Sequence, residues 1–276
     1  MNSTKTTEDS PVKAFDRIPG NEVSHRMDPW WWLVALVVGL IILLVTVSPD
    51  PFMKILVFVQ DGILTTVYVT LISFALVLVL GLMAALGRLS KIKAISVLTT
   101  IYVEIVRGVP LLVQLIFWYF AFPSLIQNIG NQFNIGFMKD YLANPIGMAI
   151  LGLTVCYAAY MSEIYRAGIQ SISKGQMEAA RSLGMNYAQA MRHIIIPQAV
   201  RVILPPVGNE FITLLKDSSL VSVVAVADIT RRGREFMAAS FLPVQTWMFI
   251  ALLYLVMTLL SARLVTYIER KTRLEK

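Results

Sequence analysis

The chain has 276 residues, 57% of them hydrophobic and only 15% charged, with a mean hydropathy of +0.68. A soluble domain carries roughly 25% charged residues, so this balance excludes an ordinary soluble globular protein. The net charge of +7 would suit a nucleic-acid partner, but the cations collect at the ends of apolar runs, as Lys and Arg do on the cytoplasmic side of membrane spans. Nucleic acid is therefore not expected, and membrane lipid is.

The apolar residues fall in long uninterrupted runs, not in the short alternations of a β-barrel, so the expectation is an all-α integral membrane protein. Cys156 is the single cysteine and lies inside an apolar run, which leaves neither a disulfide nor a cysteine metal site. His25 and His193 are too differently placed to suggest a metal site. No Gly-x-x-x-x-Gly-Lys-Ser/Thr phosphate loop occurs. No cofactor is expected in this chain, and any ATP and Mg would sit on another polypeptide.

In chain order, residues 1–28 are polar, lack a signal peptide's apolar core, and read as a cytoplasmic arm. About six segments approach the roughly 20 residues that cross a bilayer. The first is Trp30 to Val47, with Trp30, Trp31 and Trp32 as an interfacial belt. Phe52 to Val59 is too short to span and is expected to lie along the outer surface. Gly62 to Gly87 is the second span; Ala94 to Phe122, interrupted by Arg107, Gly108 and Pro110, is the third. Ser124 to Asn144 has the composition of an external loop. Ile146 to Arg166, Val202 to Val226 and Val244 to Ile268 complete the set, followed by a basic tail at 269–276. Basic residues between spans two and three, between four and five, and in the tail fall on one side, so both termini are expected in the cytoplasm. Arg231, Arg232 and Arg234 fall on the other side, partly offset by Asp228 and Glu235.

The most specific local signal is Glu178-Ala179-Ala180, three residues, Gly184, nine residues, then Ile194-Ile195-Ile196-Pro197. Gln176 to Leu183 are strong helix formers, Gly184 lets the chain reverse, and Asn186 can cap a second short helix that Pro197 would interrupt. Ala179 and Ala180 leave a small surface suited to another protein's groove.

This pattern resembles the EAA loop of ABC importer permeases, with Ile196 in place of the usual Leu. Asp61-Gly-Ile-Leu-Thr-Thr66, Arg107-Gly-Val-Pro-Leu-Leu-Val-Gln114, Tyr160-Met-Ser-Glu-Ile-Tyr-Arg166 and Leu215-Lys-Asp-Ser-Ser-Leu220 are similar to the polar amino-acid branch of that family. The resemblance implies a type I ABC importer transmembrane domain over residues 61–268, in the bacterial inner membrane, preceded by an extra span at 29–60. It implies three kinds of partner: an ATPase dimer, a second permease subunit (the same or related), and an extracytoplasmic amino-acid-binding protein. The coupling loop at 173–197, with Glu178, Ala179, Ala180, Gly184 and Pro197, would dock on the ATPase.

A charge at mid-membrane costs roughly 2.5–3.5 kcal/mol, so intramembrane polar groups face partners or a wet cavity. Gln114, Glu163, Glu210, Asp217 and Ser218 are the candidate substrate-binding residues. Glu210 and Asp217 are two helical turns apart and share a side; with Asn209, Lys216 and Ser219 they offer an anion for an ammonium and donors for a carboxylate. Equally, such groups can join helices by hydrogen bonds. The pairs Glu104–Arg107 and Glu163–Arg166 have the spacing of structural ion pairs. A competing reading makes Glu163, Glu210 or Asp217 the proton-coupling carboxylate of a secondary transporter, but no internal repeat accompanies it. A membrane enzyme would need a catalytic cluster that the sequence lacks.

Overall fold

The computed structural model describes residues 29–272, all of whose regular elements are helical. Helix α1 (Pro29–Val47) turns at Ser48 into α2 (Pro49–Arg88), followed by α3 (Lys93–Gly108) and α4 (Leu111–Ile116). A π segment (Phe117–Ala121) joins α4 to α5 (Phe122–Phe133), and α6 (Gly136–Lys139) and α7 (Pro145–Gln170) follow. Next come α8 (Lys174–Ser182), α9 (Tyr187–Ala190), a second π segment (Met191–Ile195), α10 (Ile196–Asp217) and a 3-10 turn (Ser218–Val224). Two helices, α11 (Ile229–Ser240) and α12 (Pro243–Thr272), end the described chain. The expected arm at 1–28 lies outside the described residues, and residues 269–272 of the expected tail are the last turn of α12.

Five helical stretches among the described residues are long and apolar enough to cross a membrane: Trp30–Val47, Pro49–Arg88, Leu111–Phe133, Pro145–Gln170 and Pro243–Thr272. The boundaries differ from expectation at four places. Phe52 to Val59 is not a separate segment. It is part of α2, whose 40 residues extend about 60 Å at 1.5 Å per residue, and Phe52, Ile55 and Val59 are buried with Ile229, Phe249 and Ile250. The third apolar run is cut between α3 and α4, so the crossing stretch begins only at Leu111. Ser124 to Asn144 is mostly helix, and its turn is made by Asn134 in the left-handed region at φ 55°. The fifth run is α10 followed by a 3-10 turn, too polar to count as an apolar span.

Both π segments have one cause. Each ends just before an X-Pro pair, Phe122-Pro123 and Ile196-Pro197, and the residue preceding the proline bonds five residues back, to Phe117 and Met191. A proline ring collides with the carbonyl four residues earlier and supplies no N–H. Widening the turn by one residue moves that carbonyl aside, and the helix continues. Pro197 therefore does not end the helix after α9, as the sequence suggests; it re-aims it.

The core forms where α2 and α7 pack along their lengths: Val69 and Val77 meet Ala149, Leu153 and Met161, with Leu115 and Leu214 closing the sides. Helix α1 runs antiparallel to α12, since Arg263 stacks over Trp30 and Trp31 while Val34 and Val37 pack with Leu259. Both ends of the described chain thus lie at one end of the bundle. The α8–α9 loop lies at that end too, because Gly168 of α7 touches Ile203 and Gly208 of α10 touches Val265 near the end of α12.

Candidate functional site: a polar cluster inside the bundle and a projecting loop

Pro110 separates α3 from α4 and has no N–H to offer the carbonyls behind it. The buried Gln114 answers that deficit, its amide nitrogen donating to Val106 O at 2.8 Å and Val109 O at 2.9 Å. The Gln114 amide nitrogen thus caps the broken helix.

Glu163 is ion-paired, as its spacing from Arg166 suggests. It accepts from Arg166 Nε at 3.2 Å and pairs with Arg88, tying the end of α2 to α7 near the α8 end of the bundle. Glu104 lies 3.8 Å from Arg88, and Arg107 stacks over Tyr160, 5.3 Å from its ring centroid. Ser218 is fully buried and donates to Leu215 O at 2.8 Å.

What remains is a compact cluster from three helices. Tyr157 of α7 donates to Asp217 Oδ2 at 2.7 Å, and Glu210, half-buried, lies within electrostatic reach of both Asp217 and Arg107. Arg107, Tyr157, Tyr160, Glu210 and Asp217 are thus brought together around two carboxylates and one guanidinium. Asn209, Thr213 and Lys216 continue this polarity as an exposed stripe on α10. Tyr157 was not singled out from sequence, and Tyr160 only as the first residue of a family-like motif. Their signal was helical spacing, since Tyr160 and Tyr157 sit three and six residues before Glu163 on α7.

The Asp61-to-Thr66 motif serves a joint at the other end of the bundle. Asp61 takes Arg232 Nε at 3.0 Å, and Thr66 Oγ1 accepts from Ile229 N at 3.2 Å. Gly62 admits the backbone there, since a Cβ would stand 2.9 Å from Asp228 and Ile229 atoms. Asp228 caps α11 through the N–H groups of Thr230 and Arg231, at 3.1 and 3.0 Å. Arg231 and Arg232 both bond Glu235, which holds that carboxyl below its usual range. These ion pairs offset the basic cluster that disagreed with the charge rule.

At the loop end, α8 and α9 form a helical hairpin. Gly184 has φ +85° with open space around its Cβ position, and Asn186 and Gln189 make a reciprocal capping box at 2.9 Å each way. Ala180 is buried with Ala190 and Ile195, holding the hairpin together, whereas Glu178 and Ala179 face outward. Leu183 and Tyr187, 82% and 65% exposed, add an apolar tip that sequence reading did not single out.

A bundle of apolar helices that carries charged groups of α3 and α10 beside α7, with a capped helical hairpin at one end, has the makings of a membrane transport subunit. Residues 77–274 match the family of binding-protein-dependent transport system inner membrane components, and the chain belongs to it: it is the membrane permease of an ABC importer. Among its relatives, the probable glutamine ABC transporter permease protein GlnM of Bacillus subtilis is 40% identical over 79% of this chain and 93% of that protein. The glutamine transport system permease protein GlnP of Escherichia coli K12 is 33% identical over 78% of this chain and 92% of its own length. A crystal structure of an amino acid ABC transporter with histidines superposes with a TM-score of 0.69 at 37% identity, covering 79% of this chain and 96% of that one. These findings favour the ATP-driven importer over the proton-coupled alternative.

Proposed function

We propose that this permease carries polar amino acids into a bacterial cytoplasm, with Arg107, Glu210 and Asp217 lining the path. The observation that supports the reading is the convergence of these charges and Tyr157 in a bundle otherwise filled with Leu, Val and Phe. An amino acid entering such an interior exchanges its hydration shell for protein donors and acceptors. Arg107 suits the α-carboxylate, and the two acids suit the α-ammonium. Amino-acid transport by the relatives agrees with this assignment.

In this reading the α8–α9 hairpin is cytoplasmic and docks on a separate ATPase dimer that holds ATP and Mg; both termini lie on the same side. A second permease subunit, the same or related, completes the path against the polar stripe of α10. An extracytoplasmic binding protein delivers the amino acid at the α11 end. Glu178, Ala179, Leu183 and Tyr187 are the outward residues available to the ATPase.

Asp217→Asn and Glu210→Gln test the site. Both should lower substrate-dependent uptake by roughly tenfold or more, as loss of a charge-assisted hydrogen bond of about 1.5–3 kcal/mol predicts. Assembly with the ATPase and basal hydrolysis should persist. Wild-type uptake with unchanged amino-acid preference in both variants would remove the site assignment.

A further inference from the structure

Two cavities of about 290 Å³ and 250 Å³ share Leu71, Phe211 and Leu264, and together make one apolar groove between α2, α10 and α12. On α12 it runs from Met257 to Glu269, about 18 Å at 1.5 Å per residue. That is close to half of a bilayer's roughly 30 Å hydrocarbon core, the depth of one leaflet. Glu269 lines its end at the α8–α9 side of the bundle, where the exposed Arg270 and Lys271 follow in the last turn of α12.

Helix α10 indicates what the groove faces. At about 100° per residue, Leu204, Gly208, Phe211 and Leu215 share the groove side, and Asn209, Thr213 and Lys216 point the other way. A stripe bearing a lysine is not left against lipid tails, so it is the stripe that turns toward water and neighbouring protein. The groove, on the opposite face, then turns toward lipid.

We infer that this groove is a binding site for one phospholipid acyl chain from the leaflet on the α8–α9 side, with the headgroup phosphate at Arg270 and Lys271. The chain fills a slot lined mostly by apolar side chains, and the charged end of α12 sits at headgroup depth, where basic side chains meet phosphate. The bound lipid wedges α2 against α12 and so supports the helix that carries Tyr157's partner. This inference needs only that the chain spans a membrane; it is independent of which solute is carried.

The test uses the transporter assembled with its ATPase in native membranes. A photoreactive phenylalanine analogue is placed at Leu264, in the groove, and separately at Leu255, which is comparably exposed on α12 but outside it. The Leu264 probe should yield a phospholipid adduct, enriched about tenfold over the Leu255 probe, since two methylenes of lost contact already change retention by that factor. Leu71→Trp, which fills the groove from a half-exposed position, should abolish that enrichment. As a probe-free check, native mass spectrometry of the unmodified transporter after detergent exchange should show one retained phospholipid per permease, absent in Leu71→Trp. Equal lipid labelling at both positions without retention would overturn the site, as would cross-linking of Leu264 to a second permease copy.

Discussion

Gln114 illustrates how one side chain's role follows from its neighbour's missing atom. The sequence places it two turns beyond Arg107 with no evident partner, and its polarity at membrane depth suggests a ligand contact. The partner turns out to be the backbone: carbonyls left without a donor by the break at Pro110 take both of its bonds. Gln114→Leu keeps the volume but strands Val106 and Val109 carbonyls in a buried setting. It should destabilise the purified complex by about 1–3 kcal/mol, read as a lower thermal unfolding midpoint, while leaving amino-acid preference unchanged. A shift in preference at normal stability would return Gln114 to the ligand site. Asp217 behaves oppositely. Its hydrogen bond to Tyr157 leaves one carboxylate oxygen with no bond assigned within the described residues, on a half-buried position beside Glu210.

Among the elements, the α8–α9 hairpin is the one whose geometry the sequence specified most closely. The positive φ at Gly184 and the Asn186 cap are both as the local chemistry requires. The continuation was not legible, because a proline after Ile196 reads as a stop, and only the packing of α10 against α7 and α12 makes a π turn the better solution. Gly184→Val should strain the turn by roughly 1–2 kcal/mol, since a β-branched residue resists the left-handed region. ATP hydrolysis and uptake should then become uncoupled while membrane insertion persists. Gly184→Asn, which tolerates that conformation, should retain coupling. Normal coupled transport by the valine variant would count against a docking role for the hairpin.

For the whole molecule, the family match begins at residue 77 and the relatives leave about a fifth of this chain unmatched. The first described helix, α1, lies in the part that precedes the family match. It rests on α12 through Val34, Val37 and the Trp30–Arg263 and Trp31–Arg263 stacks, and Ile41, Leu44 and Val45 pack against the cluster around Phe52 and Ile55, while most of its surface is exposed. In lipid, helix association draws on packing and not on a hydrophobic driving force, so these seams contribute modestly. Deleting residues 1–47 should leave uptake near the wild-type level and lower the thermal midpoint of the complex by a few degrees. Failure of the truncated permease to assemble with its ATPase would instead make α1 part of the folding unit.

Composition and run length determined that the chain is a helical membrane protein, because hydrocarbon leaves the backbone no other open arrangement. Motif spacing determined the hairpin and the family, since turn chemistry is local. Glu163, Gln114, Ser218, Glu210 and Asp217 look alike as polar residues in apolar runs, and beyond helical spacing nothing in the sequence names their partners. The tertiary structure supplies their partners, because packing brings together groups that lie far apart in the chain. Arg88 reaches Glu163 from 75 residues away, and Tyr157 reaches Asp217 from 60.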